Sequence, residues 1–204
     1  MRNPAFWLIV VSWSLGSIGL GGFQIHWLPY FHDIGFSPAD AALATTVYGI
    51  CSLSGRFLWG PFTEKLPLRL LLGLQSLLCS LAVVCFIVLV HDLPTLLFSI
   101  VFFGLSVGGF FILRPLNVAN YFGRANIGAV SGAMRPVVTV ANAAGPLLVG
   151  GIFDYFGAYS WSFWFVAACW LIAGITAVLA KPPRHAPADR KSTRLNSSHV
   201  SESR

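Results

Sequence analysis

The stretch Asn126–Gly157, NIGAVSGAMRPVVTVANAAGPLLVGGIFDYFG, decides how the chain is read. It is long enough to cross a bilayer as a helix, and small residues (Gly128, Ser131, Gly132, Ala143, Gly145) recur along it at helical spacing. One arginine, Arg135, stands in the middle of this apolar run. A charge at that depth is costly, so by default it faces a protein interior or a water-filled cavity and marks a binding or transport path. The rest of the sequence must supply that cavity.

The composition agrees with a membrane setting. Of 204 residues, 56% are hydrophobic and only 10% charged, which excludes an ordinary soluble domain and predicts a polytopic membrane protein. The net charge of +6 includes several residues beyond Lys181, and no basic patch with interleaved aromatics points to nucleic acid. Cys51, Cys79, Cys85 and Cys169 all sit in apolar runs without the spacing of a zinc site or disulfide framework, and read as small apolar residues. No metal site, cofactor motif or nucleophile–base–acid constellation is visible, so an enzyme is not expected. The first apolar run outlasts a signal peptide's core, and no small-residue cleavage site closes it.

Hydropathy and punctuation predict six transmembrane helices, at about 5–31, 40–60, 70–90, 95–117, 126–153 and 161–180. Gly16, Gly19, Gly21 and Gly22 give the first helix a flank narrow enough for close packing. Pro38 suits the first turn of the second helix, and Pro115 is expected to break the fourth. At ~1.5 Å per residue His26 falls about 31 Å along the first helix, which makes it an interfacial residue beside Trp27 rather than a proton relay. Alternate loops hold Arg2, then Lys65 and Arg69, then Arg124, then Lys181 and Arg184, while the opposite loops hold Asp33, Asp40, Asp92 and Asp154. This charge asymmetry places both termini in the cytoplasm of a cell inner (plasma) membrane. The second and fifth helices both end in a Gly four residues before a carboxylate, Gly60/Glu64 and Gly150/Asp154, one pair inside and one outside. Two inverted groups of three helices, a transporter arrangement, account for that.

Four segments carry a family resemblance: NPAFWL from Asn3, GRFLWGPFTEKLPLR from Gly55, YFGRANIG from Tyr121, and AGPLLVGGIFDYFGAYSWSF from Ala144. Together they resemble the C-terminal half of a major facilitator superfamily transporter, from the branch of oxalate/formate antiporters and monocarboxylate porters. The resemblance implies twelve helices in two halves with substrate bound between them, so an N-terminal six-helix half, or a second copy of the chain, is an expected partner. The family's cytoplasmic loop motif maps onto Gly60, Glu64, Lys65 and Arg69, with Pro67 and Leu68 where Gly and Arg are usual. Gly145-Pro146 followed by Gly150-Gly151 is similar to an antiporter signature with one residue added. Residues 1–183 thus form the transmembrane domain and 184–204 a polar disordered tail, in which DRKSTRLNSSH, 189–199, reads as translated sequencing-library adapter.

The candidate chemistry lies on the fourth and fifth helices. Arg135 is roughly 14 Å into its helix at ~1.5 Å per residue, near the midplane, and Ser131, Thr139 and Asn142 complete a polar stripe. A guanidinium offers a planar fork of donors that fits a carboxylate; the other reading is an arginine paired structurally with a neighbouring helix. Arg114, with Asn117 on its face, is either an inner-gate residue or a headgroup anchor, and Arg56 a latch or a snorkelling cation. No pair of intramembrane carboxylates exists to relay protons. These features favour a secondary active transporter moving a small organic anion, a carboxylate, in contact with membrane lipids. The alternative is a six-helix binding or structural module, or an oligomeric channel subunit, without independent transport.

Overall fold

A computed structural model describes residues 4–123 and 126–181. Arg2, Arg124 and the tail 184–204, with its adapter-like segment 189–199, lie outside the described residues. The helices are α1 (Pro4–Asp33), α2 (Pro38–Trp59), α3 (Phe62–Lys65), α4 (Leu68–Leu89), α5 (Leu93–Phe122), α6 (Ile127–Phe156) and α7 (Tyr159–Leu179). All but the single turn α3 are long, and five are apolar enough to cross a membrane. The sixth, α2, has the length at 22 residues but carries Asp40, two threonines and Arg56.

Loop residues start two of the helices. Ser37 caps α2, its hydroxyl accepting from Asp40 N–H while the Asp40 carboxylate accepts from Ser37 N–H, and Pro38 follows in the first turn as expected. Asp92 and Thr95 build the same reciprocal box for α5. The Thr95 hydroxyl and N–H hold the Asp92 carboxyl below the usual carboxylate range.

Packing reveals the inverted repeat. Exchanging α1 with α5, α2 with α6, and α4 with α7 maps the extensive contacts onto one another: α2 on α5 matches α6 on α1, α4 on α5 matches α7 on α1, and α4 on α7 matches itself. Glycines set these crossings. A methyl group at Gly55 would lie 2.5 Å from the Leu105 carbonyl oxygen, and one at Gly145 2.4 Å from that of Ile18. Gly73 and Gly174 meet where α4 crosses α7. Such narrow flanks let backbones approach closely, the usual source of helix association where lipid removes the hydrophobic drive. Hydroxyls add cross-links to backbone: Ser12 donates to Ala173 O and Ser80 to Ala167 O, both at 2.8 Å. The core between α1, α4, α5 and α7 is aromatic, with Phe23 edge-on to Phe86, Phe103 and Phe163 at 4.7 to 5.2 Å between centroids.

Several expectations change. The fourth long helix, α5, does not break at Pro115 but runs on to Phe122. Proline removes only the bond to the Phe111 carbonyl, and the following turns are held by the buried Asn117, Val118 and Tyr121, whose hydroxyl donates to Ala180 O. The second helix ends at Trp59, where Pro61 lacks an N–H to continue it; the matching place in α6 is Gly151, and α6 continues unbroken. Trp27 is buried in the aromatic core, and α1 extends past it to Asp33. His26 turns inward, with Nε2 donating to Pro146 O of α6 at 3.1 Å. The cysteines are free, Cys79 and Cys169 buried, Cys51 and Cys85 partly so.

Candidate functional site

Proline chemistry and small residues make the site. Along α6, Gly128, Ser131, Gly132, Arg135 and Thr139 recur at three- and four-residue steps, so they share one face. That face forms one wall of a cleft of about 460 Å³, whose other wall is Trp13 of α1 and Arg114 of α5, with Met134 and Val138 at its margin. Pro136 cannot donate to the Gly132 carbonyl, and Gly132 lines this cleft; freed backbone groups at membrane depth are tolerated where they face a cavity. The levels agree. At ~1.5 Å per residue, Arg135 and Arg114 each lie about 12 Å from the nearby ends of their helices, Ile127 and Phe122.

The two arginines are held differently. Arg114 does not snorkel to headgroups. Its Nη2 donates to the Trp13 carbonyl at 2.6 Å and to the Ser17 hydroxyl at 3.2 Å, and the guanidinium stacks 3.4 Å from the Phe110 centroid. Gly16 makes room, since a methyl there would lie 2.9 Å from the Phe110 ring. All of these partners are neutral, so the charge remains uncompensated. Arg135 is exposed, and among the described residues no hydrogen bond or ion pair engages it. Among the described residues, the carboxylates Asp33, Asp40, Glu64, Asp92 and Asp154 all lie outside the cleft-lining set. Two cations therefore face one space with no anion among the described residues.

The other candidates distribute as follows. Ser131 and Thr139 line the cleft. Asn142 instead ties α6 to α1, donating from Nδ2 to Ser17 O at 3.1 Å. Asn117 is buried away from the cleft, and neither polar atom of its amide has a partner among the described residues. Arg56 is exposed and lies over the Phe111 ring at 4.7 Å. In the loop segment, Gly60 accepts from the Thr63 hydroxyl, while Glu64 and Lys65 stay exposed and make no ion pair among the described residues. Trp13 was not expected from sequence. It sits in the cleft with its indole N–H unpartnered, and nothing in the aromatic-rich α1 distinguished it from packing tryptophans.

Residues 6–202 match the family model of the Major Facilitator Superfamily, so the chain belongs to that family, whose members are multi-pass membrane transporters rather than enzymes. It is 23% identical to monocarboxylate transporter 12 of Xenopus laevis, over 99% of this chain and 45% of that protein. It is 26% identical to the aspyridones efflux protein apdF of Emericella nidulans, over 74% of this chain and 31% of that protein. The chain thus spans less than half the length of these curated relatives.

Proposed function

We propose that the chain works as one six-helix half of a secondary active transporter that moves a small organic anion, a carboxylate, by alternating access. The observation that carries this reading is the cleft in which exposed, unpaired Arg135 faces Arg114 with no carboxylate among the lining residues. An anion is what such a site lacks. Ser131 and Thr139 supply hydroxyls on the same wall. The relatives, one a monocarboxylate transporter by name, fit that cargo class.

The second wall is the N-terminal half or a second copy. In α6 only 11% of the apolar window is buried, against half or more in α1, α4, α5 and α7. Its bare face shows Gly132, Ala133, Thr139 and Ala143, small enough to slide against another helix. Reconstituted with the missing half, the protein should take up labelled monocarboxylates saturably and ignore choline and glycerol, whereas the six-helix chain alone should give only leak. Saturable uptake by the chain alone would assign the second wall to another copy. Choline uptake with no carboxylate uptake would overturn the anion reading.

The loop charges favour a topology with both termini in the cytoplasm of the plasma (inner) membrane. Single cysteines beside Asp33, Asp92 and Asp154, in a background without native cysteines, should react with impermeant maleimide from outside. Cysteines beside Lys65 and Lys181 should react only after permeabilisation; reversal at any one loop sinks this topology.

A further inference from the structure

The inverted repeat is imperfect at one place. α6 packs on α7, but their counterparts α2 and α4 scarcely touch. The gap is a groove of about 310 Å³ over α5, lined by Leu58, Trp59, Phe62, Leu74, Leu78 and Phe102. Its polar groups are already spent: Trp59 Nε1 donates to Leu105 O at 3.0 Å, and the Ser106 hydroxyl donates to Phe102 O at 2.7 Å. Only hydrocarbon is matched there.

A second pocket of about 390 Å³ lies next along the α3–α4 segment, and its lining mixes polar side chains with Leu66, Pro67 and Leu68. It is formed by Thr63 of α3, Arg69 at the start of α4, and Asn120 and Tyr121 at the cytoplasmic end of α5. Neighbouring residues divide the two spaces: Phe62 lines the groove and Thr63 the pocket, while Leu68 of the pocket and Leu71 of the groove share one face of α4. Thr63 and Tyr121 have their hydrogen bonds, to Gly60 O and Ala180 O. The Arg69 guanidinium and Asn120 amide make none among the described residues, and Lys65, exposed on α3, directly precedes Leu66 of the pocket lining. An apolar slot that ends at the cytoplasmic face in an unsatisfied arginine and amide fits a molecule with the same division.

We propose that this is the seat of one anionic phospholipid, with an acyl chain in the α2–α4 groove and its phosphate at Arg69 and Asn120, supported by Lys65. Basic pockets on the cytoplasmic side of membrane helices suit anionic headgroups, and the bilayer presents them there in excess over any free phosphate. The site is separate from the Arg135 cleft, so it stands whatever the cargo is.

Trp59 is a built-in reporter. In nanodiscs containing the full chain, its emission is isolated as the difference between the parent and Trp59→Phe. Brominated phosphatidylglycerol should quench that component with a preference of roughly five-fold or more over brominated phosphatidylcholine at equal mole fraction. Lys65→Gln/Arg69→Gln should abolish the preference, while Leu74→Trp, which fills the groove, should reduce quenching by both lipids. Native mass spectrometry of the parent protein, retaining one phosphatidylglycerol but not phosphatidylcholine, checks the result without relying on Trp59. Equal quenching by both lipids would reduce the groove to ordinary lipid contact. No quenching by either would mean that protein, the other half or a second copy, covers it; either outcome overturns the proposal.

Discussion

Arg135→Gln in the complete transporter is expected to lower anion affinity by roughly ten- to a hundred-fold, because a hydrogen bond to a charged group contributes about 1.5 to 3 kcal/mol. The prediction follows from exposure and isolation. The side chain lines the cleft, no described residue pairs with it, and the other cation of the cleft, Arg114, is itself committed to α1. An arginine at the centre of a membrane helix costs on the order of 2.5 to 3.5 kcal/mol on translocon scales, a burden that an apolar residue would avoid. Arg135→Lys keeps the charge but loses the planar fork, so it should retain part of the affinity. Arg114→Gln makes an informative contrast: it leaves the Trp13 carbonyl and Phe110 ring without their cation and should lower stability as well as uptake. Binding is read by substrate protection of a cleft cysteine, with folded protein quantified in parallel by size-exclusion chromatography. Normal affinity of well-folded Arg135→Gln for every carboxylate tested would make the arginine structural.

Local signals in the sequence reached as far as the elements themselves. Apolar length marked the long helices, Pro38 marked the first turn of α2, and the glycine-rich flank of α1 announced close packing. Arg135 was visible because a lone charge in an apolar run needs no partner to be noticed. What failed were readings that depended on a neighbour distant in the chain. Pro115 is a breaker by local rules, yet α5 continues because Tyr121 reaches α7 through Ala180 O. Arg114 could snorkel by its position, but Gly16 opens a slot on α1 that holds its guanidinium more favourably over Phe110. Asn142 belonged to the polar stripe of α6 by periodicity, and its amide is used to tie down Ser17 O instead. The groove between α2 and α4 was invisible for the same reason, since it is the absence of a contact that the repeat would otherwise supply.

Gly145→Ala and Gly55→Ala are expected to destabilise the bundle strongly. In each case the new carbon would approach a backbone carbonyl oxygen, Ile18 O at 2.4 Å or Leu105 O at 2.5 Å. Backbone cannot rotate away as a side-chain tip can, so the helices themselves must separate. Overpacking of this kind costs typically 1 to 3 kcal/mol, roughly 2 to 12 °C in midpoint for a domain of this size. The two sites are equivalent under the exchange of triplets, α2 on α5 and α6 on α1, so the losses should be similar. Gly49→Ala and Gly151→Ala are matched controls on α2 and α6, with nothing within 4 Å of the added carbon. Alanine also favours helix over glycine, so these controls should be neutral or slightly stabilised. Thermal denaturation of the purified protein in one detergent, followed by loss of monodisperse protein, orders the four variants. If Gly145→Ala melts with its control, the α1–α6 crossing is looser than described, and the narrow flank is not what holds the cleft wall in place.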